Sequence, residues 1–272
     1  MKRPWIITAF LFTTAGGTVT AADELAVEDI VHRANKVAFY AGKDARAQVH
    51  MTITDGQGRT RERRFVMLRQ DLPDTDDLTA AAYRGEQRYY VFFQRPADVN
   101  RMVFMVWKKL EGDDDRWLYL PALDLVKRIA AADKRTSFVG SDFLYEDVSG
   151  RDIDEDKHRL VEVTADYYVL ESTPRDPATV EFARYRSYIH KDSFVPVQVE
   201  FFDSQGTQYR VGKALAVETI AGHPTITRSS MENLRTGSIT EVTFGDVQYD
   251  LGLPDELFTE RYLRSPPREY LR

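Results

Sequence analysis

From Ala45 onward the chain alternates polar and apolar residues with a period of two, and that period admits little besides a β-sheet. Ala45, Ala47, Val49, Met51 and Ile53 interleave with Arg46, Gln48, His50, Thr52 and Thr54, so every second side chain falls on one face of an extended strand. The turn Asp55-Gly56-Gln57-Gly58 returns the chain into a second strand, Thr60 to Gln70, as a hairpin. Further β-rich runs bounded by turn residues follow at about 78–84, 87–94, 102–110, 115–121, 124–130, 158–164, 167–172, 183–190, 195–203, 207–218, 224–234 and 238–249. That many strands exceed what a flat open sheet holds, so the sheet is expected to curl into a barrel or half-barrel.

Ahead of the first strand the period changes to that of a helix. Val27, Ile30, Val31, Ala34 and Val37 recur at three-to-four spacing, acids load the first turns, and Gly42 offers a stop, which predicts an amphipathic helix over 25–41. Its apolar face is built on Val and Ala, so it is expected to sit on the sheet as a displaceable lid.

The first residues read as a targeting signal: Lys2 and Arg3 precede the apolar run from Trp5 to Phe12, and Thr20-Ala21-Ala22 supplies the small residues that close it. A cleaved signal over 1–21, with cleavage after 21 or 22, is expected, leaving one domain over 22–272 in the periplasm. With Cys 0, a disulfide framework, a thiolate metal site and a lipidated N-terminal cysteine are all excluded. The net charge of −6 argues against nucleic acid, whose binding draws on concentrated positive charge. No Pro/Gly/Ser-rich linker divides the chain.

Catalytic patterns are missing. There is no G-x-S-x-G elbow, and Ser141 in Phe138-Val-Gly-Ser-Asp142 lacks the second glycine. His32, His50, His158, His190 and His223 show no metal-ligand spacing. The acidic stretches 71–77 and 111–115 lack the length and glycine position of a calcium hand and read as solvated loops. No enzyme activity, metal or cofactor is expected.

Two runs, Tyr89-Tyr-Val-Phe-Phe93 and Met102-Val-Phe-Met-Val-Trp107, are apolar on both faces, so something must cover each side. One cover is expected to be the helix; a core layer, a partner or a greasy ligand are open choices for the other. The candidate cavity residues are Val49, Met51, Phe65, Met67, Tyr90, Phe92, Phe104, Val106, Leu118 and Leu120. Arg101, Phe143 and Tyr145 are candidates for the rim.

Between 94 and 147 the sequence becomes particular: Pro96-Ala97-Asp98, then Trp117-Leu-Tyr-Leu-Pro121, Arg128-Ile129, and Gly140-Ser-Asp-Phe143 with Tyr145-Glu-Asp147. This series resembles the outer-membrane lipoprotein-sorting proteins, the LolA/LolB-like periplasmic carriers, and the likeness runs loosely through Asp203-Ser-Gln-Gly206 to Leu253-Pro-Asp-Glu-Leu-Phe-Thr259. Where that family usually has a glycine after Pro-Ala-Asp, this chain has Asn100-Arg101. The resemblance implies a mainly β fold, a curled antiparallel sheet forming a half-open barrel with helices over its concave apolar face. It implies a carrier of lipid or lipoprotein acyl chains, working without a cofactor between an inner-membrane exporter and an outer-membrane acceptor. A non-enzymatic interaction module of the envelope is the alternative reading.

Overall fold

In a computed structural model of the protein, residues 25–73 and 85–271 are described. The expected signal at 1–21 and the strand expected at 78–84 lie outside them. The chain opens with α1 (Val27–Phe39), whose first turn carries Glu28 and Asp29 and whose last turn carries Lys36, each sign complementing the helix dipole. Six strands follow: β1 (Asp44–Thr54), β2 (Thr60–Pro73), β3 (Gly85–Arg95), β4 (Val103–Lys108), β5 (Asp115–Leu120) and β6 (Leu125–Ile129). After a crossing segment that includes the short helix α2 (Tyr145–Ser149) come β7 (Asp156–Val163), β8 (Tyr167–Pro174), β9 (Arg184–His190), β10 (Pro196–Phe202), β11 (Gln208–Ile220), β12 (His223–Asn233) and β13 (Ser238–Tyr249).

These strands form one antiparallel sheet in the order β6-β5-β4-β3-β2-β1-β13-β12-β11-β10-β9-β8-β7. Two meanders, β1–β6 and β7–β13, are thus joined through the β1–β13 ladder, in which Val49 faces Phe244 and Met51 faces Val242. The sheet does not close into a barrel: β6 and β7 are its two edges. Consecutive in sequence yet farthest apart in the sheet, they are linked by residues 130–155, which run across one face. That face, followed through the registers from Phe104 on β4 through Val91, Met67 and Val49 to Val242, is the concave one around which the sheet curls.

The crossing segment fills half of the concave face. The Phe138 ring packs within 6.3 Å of Phe65, 5.9 Å of Phe93 and 5.5 Å of Phe104, and Tyr145 lies 5.0 Å from Phe104. α1 covers the far half, with Ile30, Val31 and Ala34 buried against Leu170 and Ile189 of β8 and β9. Its C-terminal carbonyls are capped by Arg69, whose guanidinium donates to the oxygens of Phe39, Ala41 and Gly42.

The doubly apolar strands are covered on the concave side by the crossing segment, not by α1 as expected, and on the other side by the chain's own C-terminal residues. Residues 250–271 fold back over the convex side of β2–β5, where Val66, Leu68, Val103 and Met105 meet Leu257, Phe258 and Leu263. Polar ties hold this tail down: Asp44 accepts from the amides of Leu251 (2.7 Å) and Leu253 (2.9 Å), and Trp107 Nε1 donates to the Phe258 carbonyl at 2.7 Å.

Candidate binding cavity

Between the C-terminal half of α1, the crossing segment and strands β1 and β10–β13 lies a cavity of about 460 Å³. Its walls are mostly apolar and its floor is made of small residues: Ala45 and Ala47 on β1, Gly212 and Ala214 on β11, with Val199, Met231 and Phe244 around them. The space exists because of those side chains. At Gly212 an added Cβ would stand 2.9 Å from Val199 Cγ1 and 3.0 Å from Met231 Cε, so even a methyl group there encroaches on the wall.

The sequence-chosen residues divide into three groups. Met67 and Phe143 line the cavity. Val49, Met51, Phe65, Phe104, Val106, Leu118 and Leu120 share the concave face but belong to the packed cluster around Phe138, with Tyr145 packed against it. Tyr90 and Phe92 point the other way, into the convex cluster under the C-terminal tail, where the Tyr90 hydroxyl donates to Tyr262 O at 2.6 Å. The pleat requires this, since neighbours of Val91 and Phe93 must face opposite to them. Arg101 is exposed in the β3–β4 turn at φ 64°.

The crossing segment is fastened over the cavity by charge. Arg210 on β11 donates to the carbonyl oxygen of Asp142 at 3.2 Å and to the Asp147 carboxylate. The Asp142 carboxylate accepts from Thr240 Oγ1 on β13 at 2.7 Å. Glu146, 2% exposed, is ringed by Lys134 at 3.0 Å, Arg151 at 3.5 Å and Arg135. Burial alone would raise its carboxyl, but those cations outweigh it and hold it below the ordinary glutamate range. Arg135 also binds Glu181 at 2.6 Å, and Arg151 binds Asp156 at 3.0 Å, tying the segment to β7 and to the loop before β9.

The Ser141 side chain is engaged within its own turn. Its buried hydroxyl donates to Phe138 O at 2.7 Å and accepts from the Phe143 amide at 3.2 Å, which makes it a turn constraint. The acidic stretches are solvated loops only in part: Asp71 is buried on β2, Asp114 and Asp115 are paired with Arg116 and Lys109 at 2.6 and 2.9 Å, and residues 74–77 lie outside the described ones. Sequence reasoning passed over Gly212, Ala214 and Ala47 because it looked for large apolar side chains; alternating small residues on β1 and β11 were the available signal.

The open antiparallel sheet is a LolA-like fold: a LolA superfamily protein from Nitrosomonas europaea superposes with TM-score 0.66 at 19% identity, covering 88% of this chain and 100% of that one. Within that class, a DUF1329 family protein from Desulfovibrio piger is 30% identical at TM-score 0.76, covering 87% of this chain and 97% of the other. A domain from Vibrio parahaemolyticus described as an outer membrane lipoprotein-sorting protein is 25% identical at the same TM-score, with coverage of 87% and 97%. A family model described only as an uncharacterized protein matches residues 85–265. No curated protein matches the chain. The chain belongs to the DUF1329 family.

Proposed function

We propose that this protein is a periplasmic carrier that holds lipid or acylated cargo in the cavity under α1 and passes it towards the outer membrane, as an accessory to an envelope lipid exporter. The mature carrier would span 22–272 after removal of the signal at 1–21. The observation that carries the reading is the cavity: its volume of about 460 Å³ lies in the ~300–1,000 Å³ range of small-molecule pockets, and its walls come from both the helix and the sheet. Among the described residues no helix is long and apolar enough to cross a membrane. The work needs no cofactor, because each buried methylene contributes about 0.8 kcal/mol. Cargo then moves on to whichever receiver buries it better.

A fluorescent fatty-acid probe is expected to bind saturably at one equivalent, to be displaced by an envelope lipid extract, and to bind less well to Ala214→Phe, which narrows the cavity. Native mass spectrometry of protein from an envelope fraction is expected to show a co-purifying lipid. Folded wild-type protein that binds no probe would instead favour the interaction-module reading, with a stable protein complex as its signature.

A further inference from the structure

At the opposite end of the strands from Ala45 and Tyr249 lie six turns, those after β1, β3, β5, β8, β10 and β12. Arg64 on β2 lies directly opposite Arg95 on β3, and both are exposed with no carboxylate partner among the described residues. Like charges facing each other across a ladder destabilise it, an arrangement that makes sense where an external anion compensates. They border an open groove of about 1030 Å³ shared with Arg61, Arg63, Gln94 and Asn100.

Arg63 is the most telling member. It is only 8% exposed, its Nε has no hydrogen-bond partner, and its ion pair with Asp98 is long at 3.5 Å. The other carboxylate of the groove, Glu62, is 3.2 Å from His50, and Arg61 reaches only the Gly140 carbonyl, at 3.4 Å. Four guanidinium groups therefore outnumber two carboxylates in an otherwise acidic protein. Beside them, at the same end, Leu123 in the β5–β6 turn is 70% exposed and Leu125, the first residue of β6, 45%.

We propose that this rim is a docking surface for an anionic lipid bilayer, with lipid phosphates seated in the arginine groove and Leu123 entering the headgroup layer. Cations joined to protruding leucines are the pairing that an anionic membrane interface rewards; an acidic peptide or nucleic acid has no use for the leucines. This goes beyond the carrier reading and stands on a different part of the molecule.

The test is vesicle flotation of the full chain with phosphatidylcholine alone and with phosphatidylcholine containing about one-third phosphatidylglycerol, the anionic component expected to matter. Binding is expected only to the anionic vesicles, to fall with added salt, and to drop about tenfold in Arg64→Glu. That variant is also expected to melt no lower than wild type, because it converts a repulsive cross-strand pair into an attractive one. Leu123→Ser is expected to weaken binding without abolishing its charge selectivity. Equal binding to both vesicle types, or unchanged binding by Arg64→Glu, would overturn the proposal. So would displacement by inorganic phosphate beyond that by chloride of equal ionic strength, which would make the groove a site for free phosphate. Fatty-acid probe binding, measured on the same samples, reports on the cavity alone, so the two readings fail separately.

Discussion

The guanidinium of Arg210, on β11, reaches over the concave face to hold Asp147 and the carbonyl oxygen of Asp142, two residues of the segment that crosses from one sheet edge to the other. Arg210 is buried and also lies over the Phe201 ring at 5.0 Å. Replacing it leaves the Asp147 carboxylate with the Leu144 amide as its remaining partner, so Arg210→Ala is expected to cost about 3 kcal/mol. Urea denaturation measures the loss. Hydrogen exchange is expected to locate it in amides 138–148, and equal protection there in the variant would contradict the fastening role.

The charged cluster under the crossing segment gives stability a defined pH dependence. Glu146 and Glu181 are held below the ordinary glutamate range: burial pushes both up, but Arg135, with Lys134 and Arg151 at Glu146, pulls them further down. Their contribution is therefore complete above the ordinary value and is lost as pH falls below it. Asp71 acts in the opposite sense, since burial raises it from 3.8 to about 6 against the pull of Arg69 and Gln87. The folded state binds that proton more tightly, so its stability contribution declines as pH rises from 3.8 to about 6. Urea midpoints across this range are expected to show Asp71→Asn removing the decline while leaving the acid-side loss intact.

Two glycines at positive φ separate strain from crowding. Gly140 has φ 80° and an added Cβ would come no closer than 3.7 Å to Arg61. Gly140→Ala is thus expected to cost only the left-handed strain, about 1–2 kcal/mol. Gly150 has φ 76° and its Cβ would stand 2.5 Å from Phe39 Cζ. Gly150→Ala must also displace the last residue of α1, and its loss is expected to exceed that of Gly140→Ala in thermal melts.

Ser141→Ala is expected to lower stability by about 1–2 kcal/mol, because it leaves the Phe143 amide without its acceptor in a buried turn. Esterase assays on wild type and variant are expected to show no turnover in either. A rate that vanished with the hydroxyl would reassign the protein as an enzyme.

If α1 is a lid, its amides at 27–38 are expected to exchange faster than those of β3 and β4, and faster still when cargo is bound. Arg69→Met leaves the Phe39 carbonyl to Gln87 alone and frees those of Ala41 and Gly42 just after α1, and is expected to increase exchange at that end without slowing probe entry. Exchange as slow as in the central strands, with and without lipid, would show a fixed helix.

Period two and runs of β-forming residues made nearly every described strand legible, and Asp55-Gly56-Gln57-Gly58 made the β1–β2 hairpin legible; the register, Thr54 opposite Thr60, comes from the structure. The helix emerged within two residues of each end, 25–41 against Val27–Phe39. What the alternation cannot say is which face meets what. Tyr90 and Val91 are equally apolar neighbours, and only the tertiary fold sends one under the C-terminal tail and the other under Phe138. The cavity escaped for a related reason: a hollow is made where side chains are small, and Ala47 or Gly212 look unremarkable in a strand.

The order of the strands bears on how the chain is made. Every ladder but one joins neighbours in sequence, so each meander can form by closing short loops as the chain emerges, whereas Ala45 must wait for Tyr249. Until then the outer edge of β1 is an unpaired strand carrying Val49, Met51 and Ile53, a template for unwanted pairing with other chains. Synthesis therefore exposes this chain to unwanted pairing for as long as its last strand takes to arrive, a hazard set by the strand order rather than by any single residue.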